Sequence, residues 1–479
     1  MKLPSIYITG RARYLGFYFE SKRSYQRGHK LLNFPKDLYS DVRIEDSFET
    51  VIQYESGVLQ EQRVRVVCGA FLRVFDGQRW YSASTTDVSQ EGLQRSLDEL
   101  AALATRKQDI LTHPTVTRLH PHKDRIRKYT GDKDIRLFSE VQKKELLSSY
   151  FSVFNEFSQL VRTVSLYRDS QEIKRFYSSK GADIEFDVQS AGVIFVCYFA
   201  HDGQNFFDST FQTKNTFDEL LSEKVDLHTF LKQCADFCMN SQPIEPGDYP
   251  VLLSPRAAGI FAHESFGHKS EADFMLGDPA AREEWAIGRV VGSPILSIID
   301  SGCDGGHGEL PYDDEGNKTE RTFLVRNGRL EKRLHSAETA GEFSEEATGN
   351  ARAVNFEYEP IPRMRSTFIA RGKDSLDDVL KRMPEGSLFI DSVRHGFGMS
   401  TFTMAPARAY RIRNGAFAEP VRIPVLSGNV MSTLGEIEAV SSDFDMIWTM
   451  RGGCGKMDQF PLPVGMGGPY VYVRSIKVG

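Results

Sequence analysis

The hydrophobic pattern of this chain changes at a segment rich in proline and glycine, residues 242–247. Before it, strand-like and helix-like patterns alternate. After it, short strands and turns dominate, apart from one motif-bearing helix and short helices near 337–347 and 374–382. We therefore expect an α+β fold with two domains. Residues 1–242 would form an N-terminal α+β domain with helices on a sheet, and residues 243–479 a β-rich C-terminal domain that carries the motif helix.

The first part shows three helical patterns. Apolar residues recur at helical spacing over residues 93–104. A second helix is predicted to begin at Ser139, where Gln142 completes a capping box, and its apolar stripe runs on to Leu160. A third helix is predicted over residues 216–240. Each of these apolar faces is expected to pack against a sheet.

Strand patterns fill much of the remaining first part. Residues 42–81 give several strand-like runs, with a hairpin turn predicted at residues 75–77. Residues 184–188 alternate as a half-buried strand, and residues 193–199 have the composition of a buried one. These runs would supply the sheet of the N-terminal domain.

The motif of the second part reads His-Glu-Ser-Phe-Gly-His and places His263 and His268 five residues apart. At about 100° per residue, five steps set two side chains roughly 140° apart on a regular helix. One extra residue in the turn, a π-bulge, would realign them, and Gly267 would lower the steric cost. Ser254 can cap this helix and Pro255 suits its first position, directly after a short buried strand.

Two imidazoles and a carboxylate are the smallest set of groups that a metal-dependent hydrolase needs, since they supply two metal ligands and a general base. His263 and His268 would hold the ion, and Glu264 would take a proton from a water that the metal activates. The spacing alone leaves another interpretation open, in which the two histidines are ordinary polar residues on an irregular turn.

A metal site needs a third protein ligand, and spacing does not choose among the candidates. Cys454 has one local argument, because flanking glycines allow a close backbone approach and Lys456 adds positive charge that would favour a thiolate. An ordinary free cysteine is the alternative. The candidates are Glu271, Asp273, Glu283, Glu284, Cys303, His307 and Cys454.

Three further residues have both a structural and a functional interpretation. Cys234 and Cys238 share one helix face among apolar neighbours, which favours core packing over metal binding. His395 could orient a substrate, although a packed or surface histidine explains it equally simply.

Composition limits the function classes. The formal net charge is −6, which gives no general attraction to nucleic acid or to an anionic membrane. No apolar run reaches the length that spans a bilayer, and residues 1–4 open no signal-peptide core. The six cysteines show no disulfide-framework pattern. We therefore expect a cytoplasmic protein that binds neither nucleic acid nor membrane.

Several segments together resemble the TldD/PmbA family of metallopeptidases. The resemblance is carried by the helix motif, by the ending Cys-Gly-Lys-Met-Asp-Gln with a following Pro-Val-Gly, and by three motifs between them. These segments are residues 247–272, 454–459, 463–465, 313–316, 348–350 and 361–365. The resemblance covers nearly the whole chain, although its specific motifs lie in the second half.

The resemblance implies peptide-bond hydrolysis with His263, His268 and Cys454 as metal ligands and Glu264 as general base. A set of two imidazoles and a thiolate favours Zn²⁺, with one ion expected per chain. Because the full histidine and glutamate pattern is present, the chain is similar to the TldD-like, catalytic type of subunit. Residues 457–458 depart from the family's usual pattern, which puts the path of that loop in doubt.

The resemblance also implies linear or unfolded peptides as substrates, peptide maturation among the roles, and a dimer. The dimer would be a homodimer or a heterodimer with a related PmbA-like subunit. An alternative function is a non-catalytic partner or a regulatory binding subunit of a related protease complex. The joint presence of His263, Glu264, His268 and Cys454 argues against this alternative, because a scaffold has no need of all four.

Overall fold

The computed structural model describes residues 32–304, 309–449 and 453–479. These residues form two large, mainly antiparallel sheets, one in each half of the chain, with helices packed against them. The α+β fold class is therefore confirmed, with helices on a sheet in the first half and a β-rich second half. The division into domains at residue 242 stays a prediction.

The first sheet has the strand order β3-β2-β1-β5-β6-β4 within the described residues, and β7 also pairs with β6. Its strands are β1 (Tyr39–Glu55), β2 (Val58–Phe75), β3 (Trp80–Thr85), β4 (Lys123–Ile126), β5 (Leu160–Ser178), β6 (Asp183–His201) and β7 (Gln204–Lys214). The hairpin turn predicted at residues 75–77 joins β2 to β3 and is confirmed. The two strand patterns at 184–188 and 193–199 belong to one 19-residue strand, because β6 continues through both.

Five helices pack on or beside this sheet. They are α1 (Gln90–Leu103), α2 (Pro114–Thr117), α3 (Glu140–Ser148), α4 (Phe217–Ser222) and α5 (Leu227–Asn240). The capping box of Ser139 and Gln142 is confirmed. The predicted continuation of α3 to Leu160 is wrong, because a 3₁₀ turn follows the helix and Leu160 itself begins β5. The single helix predicted over 216–240 is two helices, since Asp226 caps a new one.

The second half contains most of the remaining elements. Its helices are α6 (Pro255–Ala262), α7 (Pro279–Glu284), α8 (Ala337–Phe343), α9 (Leu376–Arg382) and α10 (Val430–Gly435). Its strands are β8 (Gln242–Pro243), β9 (Gly247–Leu253), β10 (Ile298–Ser301), β11 (Arg321–Arg326), β12 (Arg329–Leu330), β13 (Ala351–Arg352), β14 (Ile361–Pro362), β15 (Ser366–Ile369), β16 (Leu388–Gly398), β17 (Thr401–Arg413), β18 (Ala416–Arg422), β19 (Leu426–Asn429), β20 (Ile437–Trp448), β21 (Cys454–Lys456), β22 (Gln459–Leu462) and β23 (Gly465–Val478). Several strands are longer than expected, for example β17 with 13 residues and β23 with 14.

The second sheet places β23 near its middle, between β15 and β9. Helix α6 lies against β23 so closely that a Cβ atom at Gly259 would fall 2.4 Å from the backbone nitrogen of Gly467. Only glycine allows this approach. The contact fixes α6, and with it the motif that follows, over the centre of the sheet.

The longest helices in the described part of the chain have 14 residues. None of its helices is both long enough and apolar enough to cross a bilayer.

Candidate metal centre

Helix α6 begins as the sequence predicts. The Ser254 hydroxyl accepts a hydrogen bond from the backbone N–H of Ala257 at 3.1 Å and donates one to the carbonyl of Asp391 at 2.7 Å. Pro255 occupies the first helical position. The cap therefore ties the start of the motif helix to the neighbouring strand β16.

The predicted π-bulge is present. Residues His263–Gly267 form one π-helical turn directly after α6, and His268 then begins a 3₁₀ turn. The extra residue brings the rings of His263 and His268 to a centroid distance of 5.2 Å. Gly267 is needed for packing as well as for conformation, because a Cβ atom there would lie 2.0 Å from the sulfur of Met364.

Cys454 reaches the two histidines from the far end of the chain. It opens the short strand β21, after Gly453, whose φ of +143° and close approach to Leu462 suit glycine. The sulfur lies 3.5 Å from Nε2 of His268. One ligand atom each from His263, His268 and Cys454 lies within 4.8 Å of the others, and we call these three residues the donor cluster.

The donor cluster is polarised internally. Burial raises the pKa of the Cys454 thiol, but the charges and hydrogen bonds of His263 and His268 outweigh burial and hold this pKa well below its usual range. Burial lowers the pKa of His268, and hydrogen bonds with Cys454 and Glu271 overcome that effect and raise it to about 10. The thiol of Cys454 and the imidazole of His268 thus stabilise each other's charged form.

Glu264 lies next to the donor cluster, on the wall of a cavity. Burial raises the pKa of its carboxyl, and the two histidines offset this only in part. The backbone of β16 passes close by, since a Cβ atom at Gly398 would approach the carbonyl of Glu264 to 2.6 Å. The carboxylate thus has a fixed backbone and a protonation equilibrium nearer to neutral pH than that of an exposed glutamate.

Glu271 contacts His268 of the donor cluster, and Lys456 in turn contacts Glu271. Nδ1 of His268 lies 3.2 Å from Glu271, a fully buried carboxylate that also contacts the Lys456 ammonium at 3.1 Å. Lys456 donates further hydrogen bonds to Asp273 at 2.6 Å and to the carbonyl of Pro362 at 2.8 Å. The expectation that Lys456 stabilises the thiolate needs correction, because its ammonium is directed at the two carboxylates.

The other candidates for a third ligand have different surroundings. Glu284 pairs with Lys269 at 2.9 Å, and Glu283 is exposed. Cys303 is exposed and its sulfur lies 3.8 Å from the carbonyl of Thr319. His307 lies outside the described residues. Within the part of the chain that the structure describes, the donor cluster is the group whose geometry could hold a metal.

Cys234 and Cys238 are both buried in the core of the first half, as predicted. His395 is exposed and lines the same cavity as Glu264, and its role stays a prediction.

The cavity beside the donor cluster has a volume of about 1100 Å³ and is formed by both halves of the chain. Strands β6 and β7 of the first sheet contribute one wall, and the motif helix, the β16–β17 hairpin and β21 contribute the others. The lining residues of the first sheet are Ile194, Val196, Ser209 and Phe211. Sequence reasoning missed this wall, because no local pattern marks a strand as facing a distant site.

Sequence reasoning also missed Arg256. Arg256, Ile260, Glu264 and His268 all line the cavity, at successive intervals of four residues. This spacing, which puts side chains on one helix face, was the available signal.

The sequence matches family profiles in both halves of the chain. Residues 246–479 match the PmbA/TldA metallopeptidase C-terminal domain, and residues 40–104 match PmbA/TldA metallopeptidase domain 1. A metalloprotease from Synechocystis is 33% identical over 446 residues, which cover 92% of this chain and 94% of the relative. The zinc metalloprotease TldD homolog of Saccharolobus solfataricus is 28% identical over 459 residues, which cover 92% of this chain and 96% of the relative.

Solved structures show the same fold. A putative modulator of a DNA gyrase from Thermotoga maritima superposes with a TM-score of 0.72 at 19% identity, covering 98% of this chain and 99% of its own. TldE from Thermococcus kodakarensis superposes with a TM-score of 0.71 at 14% identity, covering 98% of this chain and 100% of its own.

Fold and sequence together define a metallopeptidase scaffold. The chain belongs to the TldD/PmbA family of metallopeptidases. The expected family is thereby confirmed.

Proposed function

We propose that this protein is a zinc-dependent peptidase in which His263, His268 and Cys454 hold one zinc ion and Glu264 is the general base. One observation carries the proposal. Three donor atoms from residues up to 191 positions apart converge within 4.8 Å of one another, beside a carboxylate on the wall of a large cavity.

The residues present fit zinc. Imidazole nitrogens and a thiolate are the donors that zinc prefers, and three protein ligands leave a fourth position for chemistry. Nδ1 of His263 is buried and has no hydrogen-bond partner among the described residues. The contact between Glu271 and His268 is of the kind that orients a histidine ligand and raises its basicity.

The chemistry divides between the ion and Glu264. When bound, zinc supplies Lewis acidity, which polarises the peptide carbonyl and makes water acidic enough to be deprotonated near neutral pH. Glu264 accepts the proton of the attacking water and later delivers it to the nitrogen of the leaving amine. The raised pKa of Glu264 suits both steps, because the group must gain and lose a proton at the same pH.

A linear or unfolded peptide is the proposed substrate. The cavity lies between the two sheets and includes apolar side chains such as Ile194, Phe211 and Phe397. An extended chain can enter such a space and present its backbone, whereas a folded domain is wider than the cavity.

A second subunit belongs to this proposal, either another copy of this chain or a PmbA-like relative. Large apolar side chains at the cavity rim remain exposed, with Phe397 at 68%, Met457 at 76% and Phe460 at 62%. Apolar exposure of this kind is typical of a surface that another chain covers. The proposed location is the cytoplasm, which the six free cysteines support.

Metal content and peptide cleavage together test the proposal. Elemental analysis of the purified protein should find about one zinc ion per chain. His263→Ala should lose the metal and, with it, the chelator-sensitive cleavage of an unstructured peptide pool. Metal binding without cleavage, also after addition of a related subunit, would favour the non-catalytic partner or regulatory subunit. Absence of metal after reconstitution would refute the zinc site.

A further inference from the structure

Arg256 lies on the cavity-facing side of the motif helix, two turns before Glu264. Within the described ranges its guanidinium makes one hydrogen bond, from Nη1 to the carbonyl of Ser209 at 3.2 Å on strand β7. It also lies over the ring of Phe211, 5.2 Å from the ring centroid. Both contacts place the guanidinium where the first sheet meets the cavity.

The charge of Arg256 has no carboxylate partner in the described part of the chain. Among the residues that the structure describes, its buried Nε has no hydrogen-bond partner and no acidic side chain lies within ion-pair distance. The two nearest aspartates are already occupied, since Asp208 and Asp391 each lie 2.7 Å from the guanidinium of Arg408. Burial, the largest effect, lowers the pKa of Arg256, and these two aspartates offset it only in part.

The helix sets the distance between this charge and the chemistry. Eight residues of helix span about 12 Å at a rise of about 1.5 Å per residue. The Cα–Cβ bonds of Arg256 and Glu264 both tilt towards the helix N-terminus, so that the tilt leaves this separation unchanged. An extended peptide covers about 3.3 Å per residue, and therefore three to four residues bridge the two positions.

We propose that Arg256 is a specificity residue that binds a carboxylate of the peptide substrate, in the first place its C-terminal carboxylate, three to four residues beyond the cleaved bond. This inference rests on the proposed peptidase function. A half-buried guanidinium whose Nε has no partner among the described residues is suited to a carboxylate, which it can bind through two parallel hydrogen bonds. The enzyme would then remove short C-terminal fragments in preference to cutting at random.

A pair of peptides tests the inference. One unstructured sequence is prepared with a free C-terminal carboxylate and with a C-terminal amide, and kcat and KM are measured for each. The wild-type enzyme should prefer the free acid by about ten- to a hundredfold in kcat/KM, the range expected for a hydrogen bond to a charged group. Mass spectrometry should place the cut three to four residues from the end.

Arg256→Gln should remove this preference, mainly by raising KM for the acid, while cleavage of the amide persists. Arg289→Gln is the matched control, because Arg289 is an exposed arginine outside the cavity whose side chain donates to the carbonyl of Glu284. The acid-to-amide ratio is the decisive quantity, since a folding defect lowers cleavage of both peptides alike.

A third peptide separates the two sources of a carboxylate. It carries the amide and has Glu in place of Gln at the third and fourth positions after the cut. If only this peptide depends on Arg256, the carboxylate is a side chain and the C-terminal assignment is wrong. A ratio unchanged in Arg256→Gln overturns the inference but leaves the peptidase intact. Failure of the wild-type enzyme to cleave any peptide, also after addition of a related subunit, overturns both proposals.

Discussion

Two buried polar regions of this protein are built differently. Between the first sheet and the loop at residues 313–315, the buried carboxylates of Asp314 and Glu315 each pair with a buried cation. Arg73 binds both oxygens of Asp41, at 3.1 and 2.8 Å, and reaches Glu315 at 3.0 Å. In the donor cluster, two imidazoles and a cysteine sulfur face one another.

This difference separates a structural role from a chemical one. Buried ion pairs satisfy their own charges, and removing one partner leaves the other desolvated and alone. The donor cluster instead presents three atoms of the kind that bind a metal ion. Substitutions in the first region should therefore lower the stability of the protein. Substitutions in the second region should abolish its activity and leave the fold intact.

The largest effect is expected for Glu264→Gln. Loss of the general base should lower kcat by about a hundred- to ten-thousandfold. The unfolding temperature should not fall below that of the wild-type protein, because burial already disfavours the charged carboxylate in the folded state. Peptide kinetics, calorimetry and metal analysis on one preparation check this. If Glu264→Gln lost stability together with activity, Glu264 would have a structural role and not a catalytic one.

Arg73→Met should reduce stability next most strongly. The substitution leaves the carboxylates of Asp41 and Glu315 buried without their cation, at a cost of about 3–5 kcal/mol. Denaturant unfolding measures this directly. Arg95→Met is the control, because Arg95 and its partner Asp87 are exposed and pair at 2.9 Å, where solvent screening leaves an ion pair with little effect on stability. Equal losses in the two variants would contradict the comparison.

The smallest effect is a pH dependence at Asp314. Burial raises the pKa of this carboxyl, but Lys174 at 2.8 Å and Arg43 outweigh burial and lower it to about 2. A pKa below the unfolded value stabilises the fold above about pH 4 and loses this effect as pH falls towards 2. Near pH 6, the free energy of unfolding of the wild-type protein should exceed that of Asp314→Asn by about 2 kcal/mol. Denaturant unfolding at a series of pH values should show this difference vanishing near pH 2. A difference that stays constant with pH would show that charge is not its source.

Local sequence predicted the motif helix well because its determinants lie within a few residues of each other. The five-residue spacing of His263 and His268 predicted the π-turn, and Ser254 with Pro255 predicted the helix start. The capping box at Ser139 was predicted for the same reason. The end of that helix was not, because an apolar stripe continues into a 3₁₀ turn and then into β5 without a change of composition.

The choice among third-ligand candidates depended on contacts that local pattern does not encode. Seven residues were open from the sequence, and the family resemblance favoured Cys454. The structure places Cys454 within 3.5 Å of His268 and directs Lys456 towards Glu271 and Asp273 instead. Both arrangements depend on β21 returning to the motif helix after more than 180 residues of chain.

The sequence by itself therefore determined the two-part α+β plan, the bent helix and the residue types of the site, because helix caps, periodicity and motif spacing are short-range. Tertiary structure alone decided which donors converge, which charges are paired and which strands wall the cavity. The physical reason is that burial and electrostatic pairing depend on what surrounds a group in space. Arg256 shows this most clearly, since an ordinary arginine at a helix start becomes an unpaired charge only when β7 packs against it.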